Sequence, residues 1–125
     1  MLRAGGYLIV RNGTQESDRE MVWKRCFPEV ESFDEGRIPE RGTIETAVTG
    51  QGFRLVKRRL IYQRFAATAQ EYYEKISARG LSALIGIPDA AFAAGVKRLQ
   101  RWAAAQPPVE PIDEPVDIWF FRKAR

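Results

Sequence analysis

The sequence contains no histidine and a single cysteine, Cys26. Histidine is the commonest general base near neutral pH and the commonest transition-metal ligand. Its absence removes every Ser/His and Cys/His pair, and with only one cysteine a structural zinc site is excluded too. Chemistry in this chain therefore rests on carboxylates, tyrosines, lysines or the positioning of a reactive molecule. Carboxylates gather in two places. Glu29, Glu31, Asp34 and Glu35 lack the regular ligand spacing of a calcium loop and read as a solvated run, so no metal site is expected. Glu110, Asp113, Glu114 and Asp117 lie in residues 108–117, which carry no base. Residues 54–64 are the converse: Arg54, Lys57, Arg58, Arg59 and Arg64 with no acid. The two stretches are matched to pair across strands. Lys57-Arg58-Arg59, near Phe53, Tyr62 and Phe65, has the ingredients of a phosphate-and-base surface. The cations alternate with apolar residues, however, and an acidic stretch is at hand to neutralise them. A paired or solvated sheet face is therefore preferred to a nucleic-acid site.

The elements that must position these groups come from a chain of 125 residues, enough for one domain with a modest core. No apolar run approaches the roughly 20 residues of a membrane span. Met1 to Val10 is too short, and too soon followed by charge, to be a signal peptide. The lone cysteine allows no internal disulfide, which fits a cytoplasmic protein.

Gly6 to Arg11 is a continuous apolar run with β-branched members, as in a strand buried on both faces, and it stops at the turn signal Asn12-Gly13. Such a strand wants a neighbour that this sequence does not place before it. Residues 17–27 predict a short helix, capped by Ser17 or Asp18 and ended by Pro28. Residues 28–42 predict a loop. Thr43 is placed to cap a helix with Ile44, Ala47 and Val48 on one face, closed by Gly50 and Gly52.

Phe53 to Phe65 is the longest strand candidate, with Phe53, Leu55 and Ile61 on one face and Val56, Leu60 and Tyr62 on the other. Thr68 and Glu71 form a capping box ahead of Tyr72, Tyr73 and Ile76. Leu81, Leu84 and Ile85 mark a short apolar turn. Asp89 is placed to cap the clearest helix, 89–105, with Phe92, Val96, Leu99 and Ala103 as its apolar stripe. Residues 107–115 hold four prolines and predict an extended loop before a last strand, Val116 to Arg122. The fold expected is α/β, with a partial sheet of about three strands and flanking helices. The first strand is of parallel type and the last two pair antiparallel. A helical insertion spans about 66–106, within one partial domain covering 1–125.

Leu2-Arg3-Ala4-Gly5-Gly6-Tyr7-Leu8-Ile9-Val10 is similar to the L-(R/K)-P-G-G-x-hydrophobic segment of class I S-adenosylmethionine-dependent methyltransferases of type 11-like sequence. In that family the segment closes a helix with a glycine turn and starts the fifth strand; Ala4 stands where proline is usual. Gly50-Gln51-Gly52-Phe53 resembles the G-F-x-x-(V/L) start of the following strand. The resemblance implies the C-terminal half of a Rossmann-like methyltransferase. It also implies a methyl transfer from S-adenosylmethionine to a small molecule in the full enzyme. The family's cofactor sits on an N-terminal half, with a Gly-rich strand-to-helix turn and a ribose-binding acid. This sequence has no Gly-x-Gly-x-Gly, so the resemblance implies that the chain alone binds no cofactor and is inactive alone.

Ligands in open α/β sheets sit beyond the carboxyl ends of strands. Arg11, Asn12 and Thr14 are accordingly candidates to face substrate, or they merely form a polar turn and cap. Tyr72, Tyr73 and Arg79, in the insertion, are implied as a substrate lid. The alternative packs one tyrosine inward and brings the other to the surface. Trp102 and Trp119-Phe120-Phe121 read as packing. The expected partner is a second copy or a separate polypeptide carrying the cofactor half. Two other classes of function remain open: a non-enzymatic module that pairs through an exposed strand edge, and a weak nucleic-acid binder using 54–64.

Overall fold

The computed structural model describes residues 5–34 and 36–124. Leu2-Arg3-Ala4 of the methyltransferase-like segment and Glu35 of the acidic run lie outside the described residues. Three strands, β1 (Tyr7–Asn12), β2 (Phe53–Ala66) and β3 (Ile112–Lys123), form one sheet in the order β1-β3-β2. β2 and β3 pair antiparallel, as expected. The expectation of a parallel-type first strand is corrected: β1 also pairs β3 antiparallel, with Tyr7 opposite Arg122 and Asn12 opposite Asp117. The C-terminal strand takes the centre of the sheet, so β1 and β2 run the same way without touching. Burial of β1 on both faces is corrected as well. Leu8 and Val10 turn inward, while Tyr7 and Ile9 stay 55% and 58% exposed.

β3 begins four residues earlier than its apolar run suggests, and it contains Pro115 opposite Tyr62. β1 ends opposite Asp117, so at Pro115 the strand has a neighbour on the β2 side only, where a missing N–H is tolerated. In β2 the register shifts between Leu55 and Lys57, leaving Val56 as an extra residue. That bulge reverses the alternation. Leu55 lies beside Phe121, but beyond the bulge it is Arg58 and Leu60 that share this face, beside Trp119 and Asp117. The two-face division read from sequence is therefore split at Val56: Ile61 lies opposite to Leu55, not with it.

Helices fill the remainder: α1 (Gln15–Asp18), α2 (Val22–Cys26), α3 (Val30–Asp34), α4 (Arg41–Thr49), α5 (Ala69–Ser77), α6 (Ser82–Ile85) and α7 (Asp89–Ala104). The single helix expected over 17–27 is two, and α3 occupies part of the expected loop. α4 starts before Thr43, and the Glu16 carboxylate of α1 accepts from the Arg41 N–H at its first turn, at 3.0 Å. Thr68 caps α5 by accepting from the Glu71 N–H at 3.1 Å; the Glu71 carboxylate accepts from Ala67 rather than closing the box on Thr68. Asp89 is the first residue of α7, not its cap, and pairs with Arg79.

The largest core lies among the helices. Trp23, Phe27, Val30, Tyr72, Ile76, Leu84 and Leu99 form it, with Ala66 from the end of β2. The carboxyl ends of β1 and β2 thus point toward this helical layer, while α1 and α4 lie over one sheet face. α7 uses its expected stripe, and it approaches α2 closely at Gly95. A Cβ there would stand 2.2 Å from the Phe27 ring and 2.9 Å from the Cys26 carbonyl oxygen. Alanine gains about 1 kcal/mol over glycine in a helix. Overpacking of this kind costs about 1–3 kcal/mol. Gly95→Ala is expected to lose stability on balance in denaturant unfolding; a stabilised variant would show that the α2–α7 contact gives way freely.

Candidate functional site

At the carboxyl end of β1 the chain turns through Asn12-Gly13-Thr14 into α1. Thr14 adopts an extended conformation and caps α1 reciprocally with Ser17. Its hydroxyl accepts from the Ser17 N–H, and its own N–H donates to the Ser17 hydroxyl, both at 3.0 Å. The Thr14 hydroxyl then donates to Asp117 Oδ2 at 2.6 Å. Asp117 is fully buried on β3. Its Oδ1 accepts from Arg41 Nε of α4 at 2.9 Å and from Arg58 Nη1 of β2 at 2.7 Å. Burial raises the Asp117 carboxyl more than any single partner lowers it. Thr14, Arg41 and Arg58 together outweigh that, and the net displacement is downward.

A second, half-buried carboxyl, Glu114, lies three residues away. Tyr72, fully buried, donates its hydroxyl to Glu114 Oε2 at 3.0 Å and accepts from the Trp23 N–H at 3.2 Å. Burial pushes Glu114 up; the Tyr72 hydrogen bond opposes this, and the charge of Asp18 adds to it. Burial, with the neighbouring Glu114 charge, also pushes the Tyr72 phenol well above its ordinary range. Asp18 belongs to the wall of an open cleft of about 780 Å³, bounded by α1, α2, α3 and the Ile38–Glu40 segment. Lys24, on the same wall, lies 3.7 Å from Asp18. The cleft's walls also carry Arg19, Arg25, Glu31 and Glu40, so it presents both signs of charge to a polar small molecule.

The six residues expected to face substrate are not brought together. Arg11 is exposed and donates to the Gln63 side chain across the sheet. Asn12 is exposed and donates to the Gly13 carbonyl. Thr14 is buried, with its hydroxyl committed to Ser17 and Asp117. Tyr72 is core, and Tyr73 is half-buried against that core. Arg79, at a left-handed φ of 57°, is tied to the carbonyls of Leu84 and Ile87 and to Asp89, with its guanidinium over Phe92 at 4.5 Å. It bolts α5, α6 and α7 together. Of the cleft residues, Asp18 was read from the sequence only as a helix-cap candidate and Lys24 was not singled out, because the burial of a single helical charge leaves no local pattern; Asp18 is buried and Lys24 half-buried. Asp117 had a signal: an acid inside the apolar run Val116-Asp117-Ile118-Trp119. The matching of the two charged stretches is realised in Arg58–Asp117 and Arg64–Asp113.

Among the described residues no group of three or more acids, cysteines or histidines is arranged to hold a metal ion, and no helix is long and apolar enough to cross a membrane. No protein-family profile matches the chain, and no curated protein matches it. A solved structure described as a putative methyltransferase from Bacillus halodurans C-125 is similar over 99% of this chain, at 14% identity and a TM-score of 0.47. This chain covers 58% of that protein's length. A likeness this distant assigns no family.

The two carboxyls, Asp117 and Glu114, give stability opposite dependences on pH. Asp117, lowered in the fold, contributes stability that is present above the ordinary aspartate range and lost as pH falls through its folded value. Asp117→Asn should remove that acid-side loss and cost about 3 kcal/mol at pH 7, because two half-buried guanidiniums lose their counter-charge. Glu114, raised in the fold, contributes stability that is full below the ordinary glutamate range and lost as pH rises through its folded value. Glu114→Gln, which keeps an acceptor for Tyr72, should abolish this loss and be at least as stable at pH 7. Urea midpoints measured across pH 3–8 check both, and equal pH slopes in the variants and the parent would refute them.

Proposed function

We propose that this chain forms the substrate-side part of a class I S-adenosylmethionine-dependent methyltransferase, acting on a polar small molecule. The reading is carried by the backbone at two glycines. Among the described residues Gly5, at φ 82°, and Gly52, at φ 88°, are the glycines with positive φ, and each precedes a strand. They sit in the two segments, Gly5-Gly6-Tyr7 and Gly50-Gln51-Gly52-Phe53, that resemble methyltransferase motifs. An L side chain is strained in that conformation, so the motif glycines meet a physical need here.

The residues present do not fit the cofactor. The strand-to-helix turn at Gly13 leads into a helix of four residues whose Gln15 N–H donates to the Pro39 carbonyl and whose Ser17 N–H donates to the Thr14 hydroxyl. A Cβ at Gly13 would lie 3.4 Å from Asp18 Oδ1, so a carboxylate already stands beside the turn. The chain's share is to shape the acceptor's seat in the cleft beyond β1. Methyl transfer depends chiefly on aligning acceptor and donor, which makes the lack of histidine no obstacle. The cofactor half is a separate element that meets β1. Among the described residues β1 is an edge strand, and its outer side offers N–H and C=O groups to such a partner. The same free edge favours the second reading, a non-enzymatic module pairing by strand addition.

The test is calorimetric titration with S-adenosylhomocysteine of the 125-residue chain alone and of the chain co-expressed with the product of the coding sequence upstream of it. No binding to the chain and micromolar binding to the pair is the expected result. Micromolar binding to the chain alone would place a cofactor site in these residues after all. Binding to neither would remove the methyltransferase reading and leave the strand-addition module.

A further inference from the structure

We infer that the open face of the sheet is the seat of a single amphipathic helix from another polypeptide segment, bearing acidic residues along the flank that faces β2. The face is defined by register. Tyr7 and Ile9 of β1, Ile118 and Phe120 of β3, and Ile61 of β2 point away from α1 and α4; Val116, the next β3 residue on this face, is already buried and marks its end. Tyr7 and Ile9 are more than half exposed, and Ile61, Ile118 and Phe120 are half-buried only. An apolar stripe thus runs along the central strand and onto β1. A sheet face of this composition is normally one layer of a packed pair. α4 supplies that second layer on the opposite face, where Glu45 accepts from Trp119 Nε1 at 3.0 Å.

The charges on the open face say what the occupant must carry. The bulge at Val56 sorts the basic stretch between the two faces. Arg58 turns inward to Asp117, and Arg64 pairs with Asp113. Arg54, Lys57 and Arg59 turn outward, opposite Arg122, Phe120 and Ile118. Among the described residues none of these three has an acidic partner. They wall the apolar stripe along β2, while Arg11 and Arg122 lie on the other two strands. Two copies of this chain placed face to face would oppose like charges, which disfavours self-association here.

A nucleic-acid strand would find little to stack on. The rings on this face, Phe120 and Tyr7, already carry cations of their own: Lys57 Nζ lies 4.7 Å from the Phe120 centroid, and the Arg122 guanidinium lies 5.5 Å from that of Tyr7. The dimensions suit a helix. Strands about 4.8 Å apart put the outer two about 10 Å apart. A helix with its side chains is about 10–12 Å across. The helix seat lies on the sheet face and not in the cleft, so it is independent of the methyl-transfer reading.

The probe is a labelled amphipathic peptide of about 14 residues, leucine along one face and glutamate along one flank, roughly 20 Å long as a helix. It is titrated against the whole chain by fluorescence anisotropy, beside a counterpart with lysine in place of glutamate and a uridine oligonucleotide of about 12 nucleotides. The glutamate peptide should bind tightest. Reversing two cations in Lys57→Glu/Arg59→Glu should weaken it about tenfold or more, equivalent to about 1.4 kcal/mol. Ile9→Glu, in the apolar stripe, should weaken it to a similar degree. All three side chains are exposed, so the variants should keep the parent's circular dichroism. Failure of the glutamate peptide to bind, equal binding of the lysine peptide, tighter binding of the oligonucleotide, or indifference to either variant would overturn the inference.

Discussion

Asp117 is a carboxylate buried in the central strand, and three separate parts of the chain come to it. Thr14 arrives from the turn after β1, Arg41 from the start of α4 and Arg58 from β2. A charge taken out of water is costly unless every lone pair is answered, and removing one partner costs more than the pair contributes. The carboxylate therefore constrains more than it stabilises. With Asp117 opposite Asn12 on one side and Leu60 on the other, a slip of either strand by one residue would turn the charge away from its donors. It also decides which face α4 covers, since Arg41 sits at the first position of that helix.

From that constraint the rest divides in two. On the Asp117 side the sheet is closed by α1 and α4. Past the carboxyl ends of β1 and β2 the helical layer closes around Phe27, Tyr72 and Leu99, and the cleft opens between α1, α2 and α3. On the other side the sheet is left open from Ile118 to Arg122, beyond the buried Val116. One extra residue, Val56, links these outcomes: it turns Arg58 toward Asp117 and so sends Lys57 and Arg59 outward. A single bulge thereby separates a neutralised interior from a basic exterior within one run of cations.

The parts of this arrangement legible in the sequence were those with local causes. The Thr68 cap, the α7 stripe and the antiparallel pairing of the two charged stretches each follow from residues near one another or from complementary sign. The pairing partner of β1 was not legible. Tyr7, Leu8, Ile9 and Val10 are all apolar, so the run conceals the alternation that marks one buried face, and it reads as a strand buried on both. The bulge had no sequence signal, because Val56 is a good strand residue with no glycine beside it. α3 was hidden by the prolines and glycines around it. At the site, Thr14 and Tyr72 stood among the residues expected to face substrate. Their hydroxyls serve the buried carboxyl of Asp117 and the half-buried one of Glu114, which the sequence shows only as members of an acidic stretch.

The most direct test is the ionisation of Asp117 itself, followed by carbon-detected NMR of the side-chain carboxyls as pH is lowered, with the resonance assigned by its loss in Asp117→Asn. Its midpoint should fall below the ordinary aspartate range, with the sheet amides of β1, β2 and β3 shifting together as the carboxylate is protonated. A midpoint at or above that range would mean that Arg41, Arg58 and Thr14 do not hold the charge. The strand register would then have to rest on something other than this carboxylate.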